Sequence, residues 1–258
     1  MKNFVKFMIA LTLLAGAGTL FVTRGLDGSR RPTRFLEHVT TLGGHRIEAS
    51  GEIAEERRAV GEFSRVELTG SGSVEIVQGD QPGVAVRADR NLLSRVETEV
   101  RDGTLMLGLK PGVLFSGGKV VYTVSAKNLT LVKTSGSGDI AARLPLTADE
   151  LELRSEGSGE ISAEVKTGKL TVKIAGSGDV DLSGSADSLS IVILGSGSVK
   201  APDLSGRSAD ANMAGSGDVE LGTYETLDAK IAGSGDVVYG GSPRVTSRVL
   251  GSGQLRSR

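Results

Sequence analysis

The sequence has no cysteine and no tryptophan, and only two histidines, three tyrosines and six phenylalanines among 258 residues. Without cysteine there is no disulfide framework, no thiolate nucleophile, no Cys-ligated zinc or iron–sulfur centre and no acylated lipoprotein cysteine. His38 and His45 alone leave almost nothing for His-based catalysis or metal binding. Charge of one sign is missing too. The 30 basic and 31 acidic side chains leave a net of −1, which excludes a chain that binds nucleic acid by neutralising phosphates. Glycine is what the sequence has in excess: 37 residues, about twice the ordinary share of ~7%. A hydrophobic content of 38% suffices for a globular core in one or two domains.

Lys2 and Lys6 precede residues 7–22, an uncharged and mostly apolar run. This is the charged start and apolar centre of an export signal. Sixteen residues fall slightly short of the ~20 that span a bilayer as a helix. Ala15 and Ala17 offer a small-residue cleavage site, whereas Leu20, Phe21 and Val22 prolong the run toward an uncleaved anchor. Both readings of residues 1–23 send the body to the periplasm or the cell surface, held at the membrane through residues 4–22 if cleavage does not occur. Arg24, Arg30, Arg31 and Arg34 oppose passage of that flank. Residues 24–59 are polar and aperiodic and read as a tether that carries both histidines away from any structured site.

A repeat decides the fold class. Gly-Ser-Gly occurs at 70–72, 136–138, 157–159, 176–178, 195–197, 215–217, 233–235 and 251–253, and from the second copy onward the spacing stays between 18 and 21. A fixed period near twenty marks a repeat architecture. Before most copies lies an alternating run, clearest in Leu170, Val172, Ile174 and in Leu189, Ile191, Ile193; after each comes a polar residue and then an apolar one. Period-two alternation is a strand with one buried face, and glycine supplies the corner. No room remains between corners for a helix of ten residues. The expected fold is all-β, a parallel β-helix in which each rung bonds to those above and below.

One coil illustrates the energetics. Val180, Leu182, Leu189, Ile191 and Ile193 point inward, and five such side chains contribute about 7–15 kcal/mol on burial. Ordering nineteen residues costs more than that at ~1–2 kcal/mol each, so a coil stands only with its neighbours. The coil with Val199, Ala201, Ala209, Ala211 and Met213 predicts a thinner cross-section. Residues 60–135 keep the alternation but lose the period, with a hairpin signal at Arg101-Asp102-Gly103. This stretch, with space for about three irregular rungs, is expected to cap one end of the regular solenoid at 136–258; Arg256 and Arg258 blunt the other.

Val60, Gly61, Glu62, Phe63 and Val66, then Gly70 to Ile76, Gln78-Gly79-Asp80, Val84-Ala85-Val86, Asn91-Leu92, Thr98 to Leu105 and the later Gly-Ser-Gly-Asp copies together form a specific pattern. In it the sequence resembles the auto-transporter adhesin family with the head GIN domain, over about residues 60–250. The resemblance implies an exported, β-helical bacterial protein with a right-handed coil. It brings no catalytic residues.

The acidic residue after each corner is the chief candidate for chemistry. Asp139, Glu160, Asp179, Asp218 and Asp236 should form one column with rungs ~4.8 Å apart, where neighbouring charges repel by roughly 0.9 kcal/mol in water. Such a column suits calcium, which takes oxygen ligands. It suits turn chemistry better, because Asp and Ser bond nearby backbone, and Ser73, Ser198 and Gln254 interrupt the carboxylates. Residues 179–184 mimic the start of a calcium loop but have Ser190 where a bidentate Glu belongs. Residues 112–119 mimic a phosphate loop with the wrong spacing and no following helix. A carbohydrate-active enzyme would need a basic cleft and stacking aromatics, whereas residues 136–258 carry 12 basic and 17 acidic groups, with Tyr224 and Tyr239 their aromatics.

The expectation is therefore a non-enzymatic envelope or surface protein, without cofactor, that presents a long β-helical face to a protein or glycan. A calcium-stabilised adhesion module is the alternative, and a carbohydrate-active β-helix the second. Residues 1–135, with 18 basic and 14 acidic groups, oppose the second part in sign, so head-to-tail self-association is also open.

Overall fold

The computed structural model describes residues 45–258. The expected signal or anchor at 1–23, and the tether up to residue 44, lie outside the described residues. The chain enters as β1 (His45–Glu48) and β2 (Ile53–Arg58), followed by β3 (Arg65–Gly70), β4 (Ser73–Gln78), β5 (Gly83–Asp89) and the short α1 (Arg90–Leu93). Then come β6 (Val96–Arg101), β7 (Thr104–Leu109), β8 (Val113–Ser116) and β9 (Val121–Ala126). The regular part runs through β10 (Leu131–Gly136), β11 (Asp139–Ala142), β12 (Leu146–Gly157), β13 (Ile161–Gly176), β14 (Val180–Gly195), β15 (Val199–Ser205) and β16 (Ser208–Gly215). It ends with β17 (Val219–Thr223), β18 (Thr226–Gly233), β19 (Val237–Gly240), β20 (Arg244–Gly251) and β21 (Leu255–Ser257).

The expected parallel solenoid is what the chain forms. Gly70, Gly136, Gly157, Gly176, Gly195, Gly215, Gly233 and Gly251 stand one above another through parallel pairings. Inward columns follow the same register. Val74, Ile140, Ile161, Val180, Val199, Val219 and Val237 stack after the corner, each no more than 2% exposed. Val132, Leu153, Val172, Ile191, Ala211 and Ala229 stack before it. Mostly aliphatic side chains from successive rungs fill the bore, which is why Trp is dispensable. Where Ala209 and Ala211 thin the section, Tyr224 of the next rung is buried beside Ala209, its hydroxyl without a partner and its pKa raised by burial.

The first Gly-Ser-Gly corrects one expectation. Residues 60–135 do not build three successive irregular rungs. β3 lies between β7 and β10, and β4 between β9 and β11, so the first corner stacks directly on the second although 66 residues separate them. The intervening chain makes an excursion. It folds β5 antiparallel to both β9 and β2, turns at Asp102 (φ 49°) and Gly103 (φ 72°) to pair β6 with β7, and places β7 and β9 as an outer rung before returning. Antiparallel strands therefore close this end, as the capping argument requires. Tyr122 is wholly buried in the cap and donates to the carbonyl of Gly108 at 2.9 Å.

Residues 45–58, read from sequence as tether, are strands of the cap. β1 pairs with β8 in parallel. Asn91 fastens the approach, donating from Nδ2 to the carbonyl of Glu48 (2.8 Å) and accepting at Oδ1 from the amide of Ser50 (3.2 Å). At the other end of the described ladder, Arg258 reaches back to Glu220 at 2.6 Å, while Val245 and Val249 of β20 remain 38% exposed.

Candidate interaction surfaces

The corner is built from three residues with three different tasks. The first glycine takes a left-handed φ, +129° at Gly176 and +148° at Gly215, which turns the chain where an L side chain would be strained. The serine is exposed. The third glycine is needed for proximity: a Cβ on Gly217 would lie 1.8 Å from the carbonyl oxygen of Gly197. Rungs touch there through bare backbone.

The register brings Asp139, Glu160, Asp179, Asp218 and Asp236 into the single column that the sequence predicts. The four aspartates each turn one oxygen to backbone. Oδ1 of Asp139 accepts from the amide of Glu160 (3.0 Å), that of Asp179 from Ser198 (2.9 Å), that of Asp218 from Asp236 (2.9 Å) and that of Asp236 from Gln254 (2.8 Å). Ser198 continues the series with its hydroxyl, accepting from the amide of Asp218 at 3.3 Å. Asp139, Asp179, Ser198, Asp218 and Asp236 thus each satisfy a corner amide of the next rung, which explains why Ser stands in for Asp without breaking the column; among the described residues Glu160 makes no such bond. Among the described residues no group of three or more His, Asp or Glu side chains is placed to hold a metal ion. The calcium-loop mimic at 179–184 lies mostly in β14, and the phosphate-loop mimic at 112–119 leads into strand β9.

The strand preceding the corner presents a second surface. On its first rungs lies an ion-pair lattice that sequence reading passed over. Lys133 sits 3.2 Å from Glu67 and 3.0 Å from Glu156, Arg154 donates from Nε to Glu152 (2.9 Å), and Lys173 approaches the same Glu152 at 3.2 Å. The bond from Lys133 holds the Glu156 carboxyl below its ordinary pKa. Burial pushes Glu152 up, but Arg154 and Lys173 outweigh it and the net shift is downward. Lys133 is lowered by burial and raised by Glu156 and Glu67, with a net rise. Farther along the same face the outward column becomes apolar: Ala175, Leu194, Ala214, Ala232 and Leu250 stand in register, with Leu194 and Leu250 57% and 58% exposed.

The third surface is concave. Two open troughs of about 780 and 330 Å³ meet along one edge of the solenoid, the first including Asp187 and the second beginning at Ser188. In the second, Ser188, Ser208 and Thr226 form one wall, and Ser190, Asp210 and Asp228 the other. Between them Leu189, Ala209 and Leu227 turn into the core and leave main chain as the floor. The signal in the sequence was the pair of polar residues flanking each inward apolar one; nothing in their variable identity marked them as a surface.

The solenoid, its stacked corners and the cap match a known family. The model described as "Putative auto-transporter adhesin, head GIN domain" covers residues 62–243. The chain belongs to this family. Among solved structures, a putative adhesin from Bacteroides fragilis NCTC 9343 is similar at 25% identity and a TM-score of 0.76, covering 82% of this chain and 100% of its own. A putative lipid binding protein from Parabacteroides distasonis ATCC 8503 is 26% identical with a TM-score of 0.71, over 83% and 100% of the two chains. A putative adhesin from Parabacteroides merdae ATCC 43184, at 23% identity and a TM-score of 0.68 over 83% and 99%, shares the fold. Among curated proteins none matches this sequence.

Proposed function

We propose that this head GIN domain protein is an exported, non-enzymatic binding module of the cell envelope, adhesin-like in that it works by displaying rigid solenoid faces to a partner. The observation that carries this reading is where the polar and apolar side chains outside the core lie. They run in long outward columns set by the ladder, and the depressions beside Asp187 and Ser188 are open troughs rather than enclosed clefts. An extended ligand meets such a surface many times over. The family description and its adhesin neighbours support the same reading. Fractionation of native cells, with the mass of the mature N-terminus measured, tests the export half. Recovery in the envelope is expected; recovery in the cytosol with residues 1–23 intact overturns it. Cells carrying and lacking the protein, compared for attachment to coated surfaces, test the adhesive half.

A lipid-contacting role is the second reading. It rests on the Parabacteroides protein of that description and on the exposed column from Ala175 to Leu250. Side chains fill the bore, so an acyl chain would have to lie on the outside. Co-sedimentation of the full chain with neutral phosphatidylcholine vesicles, lost in Leu194→Asp/Leu250→Asp, is the outcome this reading requires.

A further inference from the structure

We infer that the trough along Ser188–Thr246 is a binding site for a linear, uncharged polysaccharide lying parallel to the solenoid axis. The inference rests on the reading of the protein as a binding module and names the ligand class of one surface. Three observations lead to it. The walls are rich in uncommitted polar groups: among the described residues the hydroxyls of Ser188, Ser190, Ser208 and Thr246 and the guanidinium of Arg244 have no protein partner. Hydroxyls that both donate and accept, beside carboxylates that accept, match a ligand made of hydroxyl groups. Asp210 takes a bond from the Asn212 amide and Asp228 lies 3.4 Å from Lys230, so each carboxylate keeps an oxygen for a ligand donor.

Charge then narrows the class. Asp210 and Asp228 repel an acidic polymer, while the adjoining trough is of mixed sign: Asp149 and Lys166 line it, and its Glu150 and Asp187 are paired with Lys169 (3.7 Å) and Arg207 (2.7 Å). Arg244 at one end disfavours a polycation. A neutral chain meets neither obstacle. Periodicity gives the third argument. The two walls repeat in strict register, Ser188–Ser208–Thr226–Arg244 facing Ser190–Asp210–Asp228–Thr246, one pair per rung at ~4.8 Å. A polymer of repeating sugar units can engage each rung in turn. A single sugar, on a floor of main chain with no enclosing wall and no aromatic to stack on, gains little.

Affinity electrophoresis of the full chain through gels containing mannan, dextran or a β-glucan tests the proposal, beside gels with polygalacturonate and solutions of poly-lysine. At least one neutral polymer should retard the protein, with no loss of retardation at high salt. In solution, affinity for its oligomers should climb with length and level off near four units. Asp210→Asn/Asp228→Asn should weaken binding at least tenfold at an unchanged melting temperature. Ser208→Tyr, which fills the trough without touching the core, should do the same, whereas Ser216→Tyr on the corner should not. Retardation by none of the neutral polymers, binding only to poly-lysine or polygalacturonate, or equal binding by the trough variants overturns the site. Attachment of cells that survives Asp210→Asn/Asp228→Asn removes this site and leaves the adhesive reading standing. Polysaccharide binding by a protein whose loss does not affect attachment removes that reading and leaves the site.

Discussion

Replacing Gly217 by alanine sets a new Cβ 1.8 Å from the carbonyl oxygen of Gly197 on the neighbouring rung, so the rungs must part to admit it. Gly61 has nothing within 4 Å of the same added atom and an ordinary backbone. Gly217→Ala should therefore cost on the order of 3 kcal/mol or more and Gly61→Ala within about 0.5, read by urea denaturation. Equal losses would mean that the corners are not in contact. The aspartate column makes a chemical prediction of the same size class. Asp218→Ala strips the amide of Asp236 of its acceptor and should cost about 1 kcal/mol, whereas Asp218→Asn keeps an acceptor and should cost less. Because these oxygens are directed at amides, adding calcium or a chelator should leave the melting temperature where it was. A rise of several degrees with calcium would return the column to metal binding.

At the scale of the strand, the outward face changes from charged to apolar along the solenoid while the inward face stays mostly aliphatic. The lattice around Lys133, Glu156, Arg154 and Glu152 ties four consecutive rungs, from β3 to β13, by side chains that are between 17% and 42% exposed. Pairs of that exposure are individually weak, and their value lies in sharing partners. Glu152 and Glu156 both have depressed pKa values when folded, so their contribution is complete above the unfolded carboxylate pKa near 4.3 and disappears as pH falls through the folded values. Lys133 has the opposite sign: its raised pKa contributes fully below the unfolded value near 10.4 and is lost as pH climbs through the folded one. Lys133→Met should cost about 1 kcal/mol at neutral pH, since it leaves Glu67 and Glu156 facing one another. It should also flatten the fall in stability between about pH 5 and 3, measured by thermal melts across that range. An acid limb as steep as in the wild type would show that the lattice contributes nothing. The same strands hold two polar core residues, Thr134 and Ser155, in the column otherwise filled by Leu68, Ile174 and Ile193. Each hydroxyl donates to the carbonyl of the corner four residues on, Gly138 (2.7 Å) and Gly159 (2.9 Å), which is why a hydroxyl is tolerated there.

For the molecule as a whole, what could be read in advance was what repeats. Gly-Ser-Gly, the alternating apolar runs and the acid after each corner all follow the period, and they fixed the solenoid, its inward residues and the alignment of Asp139 with Asp236. What does not repeat stayed hidden. A gap of 66 residues says that the ladder is interrupted but not that the chain comes back to the rung it left, because return is decided by matching edges between β3 and β10, not by any local signal. The trough was hidden for a related reason: outward positions are free to vary, so Ser208 and Asp210 look like any solvated pair. The order of stacking has a consequence that amide exchange can measure. β3 and β4 open the repeat in sequence, yet each is paired on both sides, by the outer rung of the cap and by β10 and β11. β20 has a partner on one side among the described strands, and every residue along it is exposed. If the first corner were the outer edge of the ladder, its amides would exchange as fast as those of β20. With the stacking seen here, the amides of β3 should exchange as slowly as those of β13, and those of β20 fastest of the corner strands, under conditions where exchange follows local opening. Forming the β3–β10 pairing must also wait for the excursion to be made, so in pulse-labelled refolding β3 should gain protection together with β7 and β10 and not before them. Early protection of β3 alone, or native exchange of β3 at the rate of β20, would place the first corner at an end and undo the threading order.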